Sequence, residues 1–145
     1  MVTQGNPAPD FTLETDKGAK VTLSQLRGRQ VVLFFYPKDD TPGCTIECKE
    51  FRDAAPNFAG KALVFGVSAD DRTSHEAFRE KFSLNFPLLC DGGHKVCDAY
   101  GVWGPTKWGE GIRRTTVIVG ADGAIKKVFE NVTPQGHAAE VLAAL

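Results

Sequence analysis

Among the residues able to act as nucleophiles, metal ligands or anion binders, Cys44 is singled out by its position. It ends the segment Pro37-Lys38-Asp39-Asp40-Thr41-Pro42-Gly43-Cys44, directly after the apolar run Val31 to Tyr36. That run is long enough for a buried strand, and Pro and Gly terminate it. Thr45 to Ala55 contains neither Gly nor Pro and reads as a helix. Cys44 is therefore expected in the first turn of a helix, just beyond a strand. There a sulfur meets unpaired backbone N–H groups and the positive end of the helix dipole. Both favour thiolate, the reactive form of cysteine. A free cysteine is also a common small core residue, so it is the position that argues for chemistry. The other cysteines carry weaker signals. Cys90 ends an apolar run, and Cys97 lies among Val96, Ala99 and Tyr100; both read as buried core thiols. The spacings Cys44-x3-Cys48 and Cys90-x6-Cys97 do not match zinc sites. His75, His94 and His137 are scattered and read as surface or packing residues, so neither a metal nor a cofactor is expected.

The frame that must hold Cys44 can be read from the rest of the chain. With 145 residues, it is long enough for one domain with a proper core, and no linker or repeat divides residues 1–145. A formal net charge of −1 points to neither nucleic acid nor membrane, and no apolar stretch is long enough to span a bilayer. Met1 to Pro9 lacks the basic-then-apolar pattern of a secretory signal. With four cysteines, the expectation is a redox thiol protein of the cytoplasm.

Phe11 to Glu14 and Ala19 to Leu23 read as strands of an N-terminal hairpin, and Ser24 as the cap of a brief helical turn. Ala62 to Ser68 reads as a second apolar strand. Ser74 to Phe82 reads as a helix capped by Ser74, and Lys95 to Tyr100 as a short helix. Phe86 to Cys90 is extended. Thr115 to Val119 and Ala124 to Phe129 flank the hairpin turn Gly120-Ala121-Asp122-Gly123, and Gln135 to Leu145 closes the chain as a helix. Gly101 to Gly111, with Trp103 and Trp108, reads either as a substrate mouth or as a mobile loop packed by its aromatics. Strands alternating with helices imply an α/β fold with a mixed sheet.

The spacing Pro37-x3-Thr41-x2-Cys44 resembles the active-site motif of the peroxiredoxins, thiol enzymes that reduce hydroperoxides. The stretch Phe35 to Thr45 is similar to that of the peroxiredoxin Q, or bacterioferritin comigratory protein, subfamily. The likeness continues through Pro7-Ala8-Pro9-Asp10-Phe11, Val64 to Ser68, Phe86-Pro87-Leu88-Leu89, Val96-Cys97, Gly101-Val102-Trp103-Gly104 and Arg114-Thr115-Thr116. The resemblance implies a thioredoxin-like fold with a mixed central sheet flanked by helices. It implies a peroxidase in which Cys44 attacks hydrogen peroxide or an organic hydroperoxide and becomes a sulfenic acid. A dithiol donor such as thioredoxin would recycle the enzyme, which is expected as a monomer with a dimer as the alternative.

By the same resemblance, Thr41 contacts sulfur and peroxide, Pro37 shields them from water, and Arg114 is the active-site arginine. Thr41 also suits a helix N-cap with Pro42 at the first helical position, and the two roles are compatible. Alternation along a strand lets Arg114 point inward while Arg113 is solvated. Glu47, about one turn beyond Cys44, is expected to orient that arginine, as similar glutamates do in this family.

A sulfenic acid condenses with a second thiol to give a disulfide, and here the chain departs from its relatives. Many carry the resolving cysteine five residues after the first, where this chain has Lys49, or in the following helix, where it has Arg79. Cys48 is the nearest thiol. In an intact helix, residues four apart have Cα atoms about 6.2 Å apart, within the ~6.8 Å a disulfide tolerates. Their Cβ vectors run nearly parallel, so the first turn must unwind before the sulfurs can bond. Cys90, Cys97 or an external thiol remain alternatives. Two other functions also stand open: a protein thiol–disulfide oxidoreductase, although the Cys-x-x-Cys common to that class is absent, and a redox-sensing or holdase module.

Overall fold

The computed structural model describes residues 1–145. The apolar run becomes β3 (Gln30–Phe35), an interior strand of a seven-stranded sheet. Val31, Leu33 and Phe35 enter one core cluster, while Val32 and Phe34 enter another on the opposite face. Both faces of the strand are covered, which is why its sequence is apolar throughout rather than alternating.

Two crossovers follow. Strand β3 leads through α1 (Pro42–Phe58) to β4 (Ala62–Ser68), then through α2 (Arg72–Phe82) to β5 (Leu88–Cys90). These three strands are parallel, as helical crossovers require. Before them, β1 (Thr12–Thr15) and β2 (Lys20–Thr22) form the N-terminal hairpin, joined antiparallel to β5. After them come α3 (Lys95–Tyr100), then β6 (Trp103–Thr106) paired with β7 (Gly109–Ile112) as a separate two-stranded ribbon. Last come β8 (Thr115–Val119), β9 (Ile125–Phe129) and α4 (His137–Ala143). Strand β8 runs antiparallel to β3, and the sheet order is β2-β1-β5-β4-β3-β8-β9. Helices α1, α2 and α4 cover one face through Phe51, Phe58, Phe78, Ala138 and Val141. Helix α3 packs the other face with Val96, Cys97 and Tyr100.

Helix α1 runs longer than the 45–55 span expected, through Pro56 to Phe58. Pro56 has no N–H to offer the Arg52 carbonyl, and the Asn85 side-chain amide donates to that carbonyl instead at 3.1 Å. Phe51 anchors the helix by stacking on Phe34, with centroids 4.3 Å apart. Two expected caps are corrected. Helix α2 starts at Arg72, and its cap is Asp71, which accepts from the Ser74 amide at 2.8 Å; Ser74 is inside the helix. Ser24 does not cap the short 3₁₀ turn Leu23–Leu26; its amide instead donates to Asp10. The Gly101–Gly111 stretch is neither a free loop nor purely a mouth, but carries the β6–β7 hairpin with Lys107 and Trp108 at its tip.

Candidate active site

The register β3–β8 pairs Phe35 with Thr115. Arg114, one residue earlier, therefore lies level with the end of β3, where the chain departs toward Cys44. Arg113 and Arg114 form the two-residue link between β7 and β8, and they point to opposite sides. Arg113 is exposed and donates to the Gly101 carbonyl, whereas Arg114 turns inward.

Thr41 occupies the N-cap position of α1 with Pro42 following it. Its hydroxyl does not cap the helix, however; it donates to the Lys38 carbonyl at 2.8 Å. The first backbone bond of the helix is from the Thr45 amide to the Thr41 carbonyl at 2.9 Å. The amides of Gly43 and Cys44 thus precede the hydrogen-bond ladder, and no acidic side chain lies in this first turn. That leaves the positive end of the dipole facing the Cys44 sulfur.

Cys44 is fully buried, and Arg114 Nη2 donates to its Sγ at 3.4 Å. The other terminal nitrogen, Nη1, donates to Glu47 Oε1 at 2.8 Å. One guanidinium therefore bridges two groups a helical turn apart, which only a planar fork of donors can do. Gly43 makes room for it, because a Cβ there would stand 2.9 Å from Nη2. Burial opposes charge on Arg114, but Cys44 and Glu47 more than offset it and raise its pKa. Glu47 is fully enclosed, and its Oε2 has no hydrogen-bond partner. Burial pushes its pKa up to about 7, against the pull of Arg114 and with a further push from Glu50. Near neutral pH both forms of this carboxyl are populated, and the ion pair is complete only in the deprotonated one.

Pro37, Thr41 and Arg114 line one cavity of about 590 Å³, closed on the far side by Thr106, Trp108 and Ile112 from the β6–β7 ribbon. Trp108 is 80% exposed at its rim. Cys44 does not line this space, but its chain neighbour Gly43 and its hydrogen-bond partner Arg114 do. The structure thus brings together Pro37, Thr41, Cys44, Glu47 and Arg114.

Cys48 sits on the same helix, fully buried in the core cluster that also holds Cys44. Burial and then the charges of Glu47 and Cys44 push its pKa well up. Cys90 is partly exposed on β5, its pKa raised to about 11 by burial and then by Glu14 and Asp16. Cys97 is buried, its pKa raised by burial and a bond to Asp91. All four cysteines are free thiols. Arg79, in the helix after α1, bonds Asp16 and donates to the Phe86 carbonyl at 2.9 Å. His75 and His137 are both fully buried, and each bonds through both ring nitrogens. Sequence reasoning missed Asp39, Gly43 and Ile112 as neighbours of the site.

Residues 4–128 match the AhpC/TSA family. The chain is 42% identical over 146 residues to the peroxiredoxin Bcp of Bacillus subtilis, covering 97% of this chain and 93% of that protein. Among solved structures it is similar to a Xylella fastidiosa PrxQ variant, with TM-score 0.94, 33% identity and coverage of 99% and 94%. It is also similar to the Xanthomonas campestris bacterioferritin comigratory protein, with TM-score 0.90, 34% identity and coverage of 98% and 96%. That protein's structure is described for alkyl peroxide reduction activity. The fold shared with these proteins is the thioredoxin-like one. No helix is long and apolar enough to cross a membrane.

Proposed function

The chain belongs to the AhpC/TSA family and is a thiol-dependent peroxidase, and on that premise we propose that Cys44 is the sulfur that attacks the peroxide, acting within one domain of residues 1–145. The observation that carries this reading is the Arg114 fork, with one nitrogen 3.4 Å from Cys44 Sγ and the other 2.8 Å from Glu47. A fixed cation beside the sulfur favours negative charge there, and a thiolate is the attacking species.

The thiolate attacks the terminal oxygen of R–O–O–H. The S–O bond forms as the O–O bond breaks, leaving Cys44 as sulfenic acid and RO⁻, which takes a proton to become alcohol or water. Arg114 lines the cavity above the sulfur, so it can stabilise charge on the peroxide oxygens as the bond breaks. The Thr41 hydroxyl, at the same mouth, supplies a further donor once it turns from the Lys38 carbonyl, and Pro37 keeps water from the floor. Glu47 fixes the plane of the guanidinium. The cavity's volume and its Trp108 and Ile112 wall suit organic hydroperoxides as well as hydrogen peroxide.

Cys48 resolves the sulfenic acid by a disulfide to Cys44 with loss of water. Both lie within the continuous helix α1, so its first turn must open first. A dithiol reductant such as thioredoxin then reduces the bond and returns two thiols.

The test is NADPH-coupled peroxide turnover with thioredoxin and thioredoxin reductase for the parent, Cys44→Ser and Cys48→Ser. Mass-spectrometric disulfide mapping after one equivalent of peroxide accompanies it. Cys44→Ser is expected to be inactive, and the parent to show a Cys44–Cys48 link. Full turnover by Cys44→Ser overturns the assignment of the nucleophile. A dimedone-trapped sulfenic acid with no disulfide overturns Cys48 as the resolver.

A further inference from the structure

The loop from Pro37 to Thr41 presents Pro37 and Thr41 to the cavity, but Asp39, between them, turns the other way and is 7% exposed. Its Oδ1 accepts from the Tyr36 hydroxyl at 2.6 Å. Its Oδ2 accepts from the Ser74 hydroxyl at 2.8 Å and lies 2.6 Å from His75 Nδ1. Its amide donates to Asp70 Oδ2 at 2.8 Å, an oxygen that also accepts from Ser68 at 2.6 Å. Within the loop itself the only side-chain bond is from Thr41 to Lys38. The next residue, Asp40, has φ of 57°, a left-handed conformation that a non-glycine residue keeps only when its surroundings hold it.

The protons in this network can be assigned by valence. His75 is fully buried, and its Nε2 lies 3.0 Å from the Leu89 carbonyl. A carbonyl only accepts, so Nε2 carries a proton. Asp39 receives hydroxyl protons on both oxygens, the pattern of a carboxylate, so Nδ1 donates as well. The imidazole then holds two protons and is a cation. Burial opposes that charge, but the hydrogen bond and charge of Asp39, with Asp70 behind it, more than offset it, and the His75 pKa is raised. The other titratable groups around the pair are Tyr36 from the end of β3, Cys48 from α1 and Cys90 from β5, each of which feels the charge of Asp39.

We propose that His75 and Asp39 are positioning residues: a buried imidazolium–carboxylate pair that ties the Pro37–Thr41 loop to α2 and thereby holds Thr41 and Pro37 over the sulfur. The pair touches neither sulfur nor peroxide, and the proposal rests on the reading of Cys44 as the nucleophile. A buried ion pair of this kind is costly to leave half-made, so the loop has one well-defined seat.

The test combines two measurements. In the intact parent, ¹⁵N-edited NMR of the His75 ring is expected to show both nitrogens protonated at pH 7, with titration above the ordinary histidine range. In Asp39→Asn, stopped-flow peroxide oxidation of Cys44 is expected to fall at least tenfold, while alkylation of Cys44 by iodoacetamide, which needs no peroxide seat, changes less than twofold. His75→Gln is expected to lose the alkaline decline in peroxide rate that the parent shows as His75 deprotonates. An imidazole with one proton at pH 7, or one whose resonances shift with added Zn²⁺ as a ligand would, overturns the proposal. So does a folded Asp39→Asn that oxidises at the parent rate. The NMR result stands even where a variant fails to fold. Failure of the Cys44 reading would appear separately, as peroxide turnover by Cys44→Ser.

Discussion

Gly43→Ala separates the reactivity of Cys44 from the stability of the fold. The added methyl would stand 2.9 Å from Arg114 Nη2 and 3.5 Å from Pro134 Cγ. Ordinary contact between such atoms is about 3.5–4.0 Å, so the guanidinium must retreat by about 0.8 Å. The methyl and Sγ both belong to the first turn of α1, so the retreat also lengthens the 3.4 Å Nη2–Sγ separation. With an effective dielectric of about 20, the attraction between unit charges falls from about 5 kcal/mol at 3.4 Å to about 4 kcal/mol at about 4.2 Å. A loss of about 1 kcal/mol in holding charge at the reacting atoms is about a fivefold loss of rate. Alanine meanwhile favours a helix over glycine by up to ~1 kcal/mol, so stability should stay within about 1 kcal/mol of the parent. The assay is kcat/KM for hydrogen peroxide beside urea unfolding of the same preparation. Gly43→Ala is expected to turn over about fivefold more slowly with unfolding little changed. A folded variant with the parent kcat/KM would show that the Arg114–Cys44 contact carries no rate, and the argument from the fork would fail.

Glu47→Gln should change how stability depends on pH. The folded pKa of about 7 exceeds the unfolded carboxyl value of about 4.3, so the folded state binds more protons between them. The contribution of Glu47 is then fully present below the unfolded value and is lost as pH rises through 7, by up to about 3 kcal/mol. Urea unfolding at pH 5 and pH 8 should show that loss in the parent but not in Glu47→Gln; equal slopes would refute it. His137 runs the opposite way. Burial first, with Arg114 adding to it, holds its pKa below the usual 6.5 despite Glu140. Its contribution is present above that value and is lost as pH falls through the folded pKa, and His137→Gln should flatten this acid limb in thermal unfolding. Trp108→Ala, at an 80% exposed rim position, should leave stability within about 0.5 kcal/mol. It should raise KM for cumene hydroperoxide about two- to tenfold through the lost aromatic contact and leave hydrogen peroxide unaffected. A uniform effect on both substrates would exclude Trp108 from the cavity wall.

Much of this arrangement was legible in the residues because it rests on local rules. The Val31–Tyr36 run, the break at Pro37 and the helix beyond it follow from apolar continuity and Pro and Gly punctuation, and they locate Cys44. The split between Arg113 and Arg114 was expected from alternation, although the pair lies in the link just before β8 rather than in the strand. The Arg114–Glu47 bond was reachable only through resemblance, since 67 residues separate the partners and neither periodicity nor spacing links them. The Asp39–His75 pair is 36 residues apart and was not seen. Nothing in the sequence around Asp39 marks it as buried, because burial of a carboxylate is decided by what packs over it. Two caps were misjudged for a related reason. Ser24 and Ser74 are good capping types, but Asp71, three positions before Ser74, already caps α2, and Thr22 holds the cap position of the 3₁₀ turn while the Ser24 amide is taken by Asp10. The β6–β7 ribbon was hidden because Gly and Pro weaken its strand signal, and its pairing is what gives the cavity its second wall.

The same contacts define which part of the chain must move if Cys44 and Cys48 are to bond. Phe51 is stacked on Phe34 and buried in the core, so opening of α1 has to stop short of it. Upstream, Asp39 is held to α2 through His75 and Ser74. Helix α2 is itself tied to β5 by Arg79, which grips Asp16 and the Phe86 carbonyl, while Asp16 accepts from the Leu88 amide. Where relatives resemble this chain but carry a resolving thiol in that helix, this chain has a strut. The segment between these anchors runs from Asp40 to Glu50, and it is itself held at its ends by the Lys81–Asp40 ion pair and by the Gly136 amide, which donates to Glu50. Releasing it requires the Glu47–Arg114 bond to break, and that bond weakens when Glu47 takes up a proton. If Cys44 is the sulfur oxidised, as proposed, its conversion to a neutral sulfenic acid weakens one of the two contacts that hold Arg114 and so loosens the turn. On this reading, the first turn opens slowly in the thiolate state and readily in the sulfenic state, where Cys48 can displace water from the Cys44 sulfur, because the guanidinium is fastened at both ends only in the first.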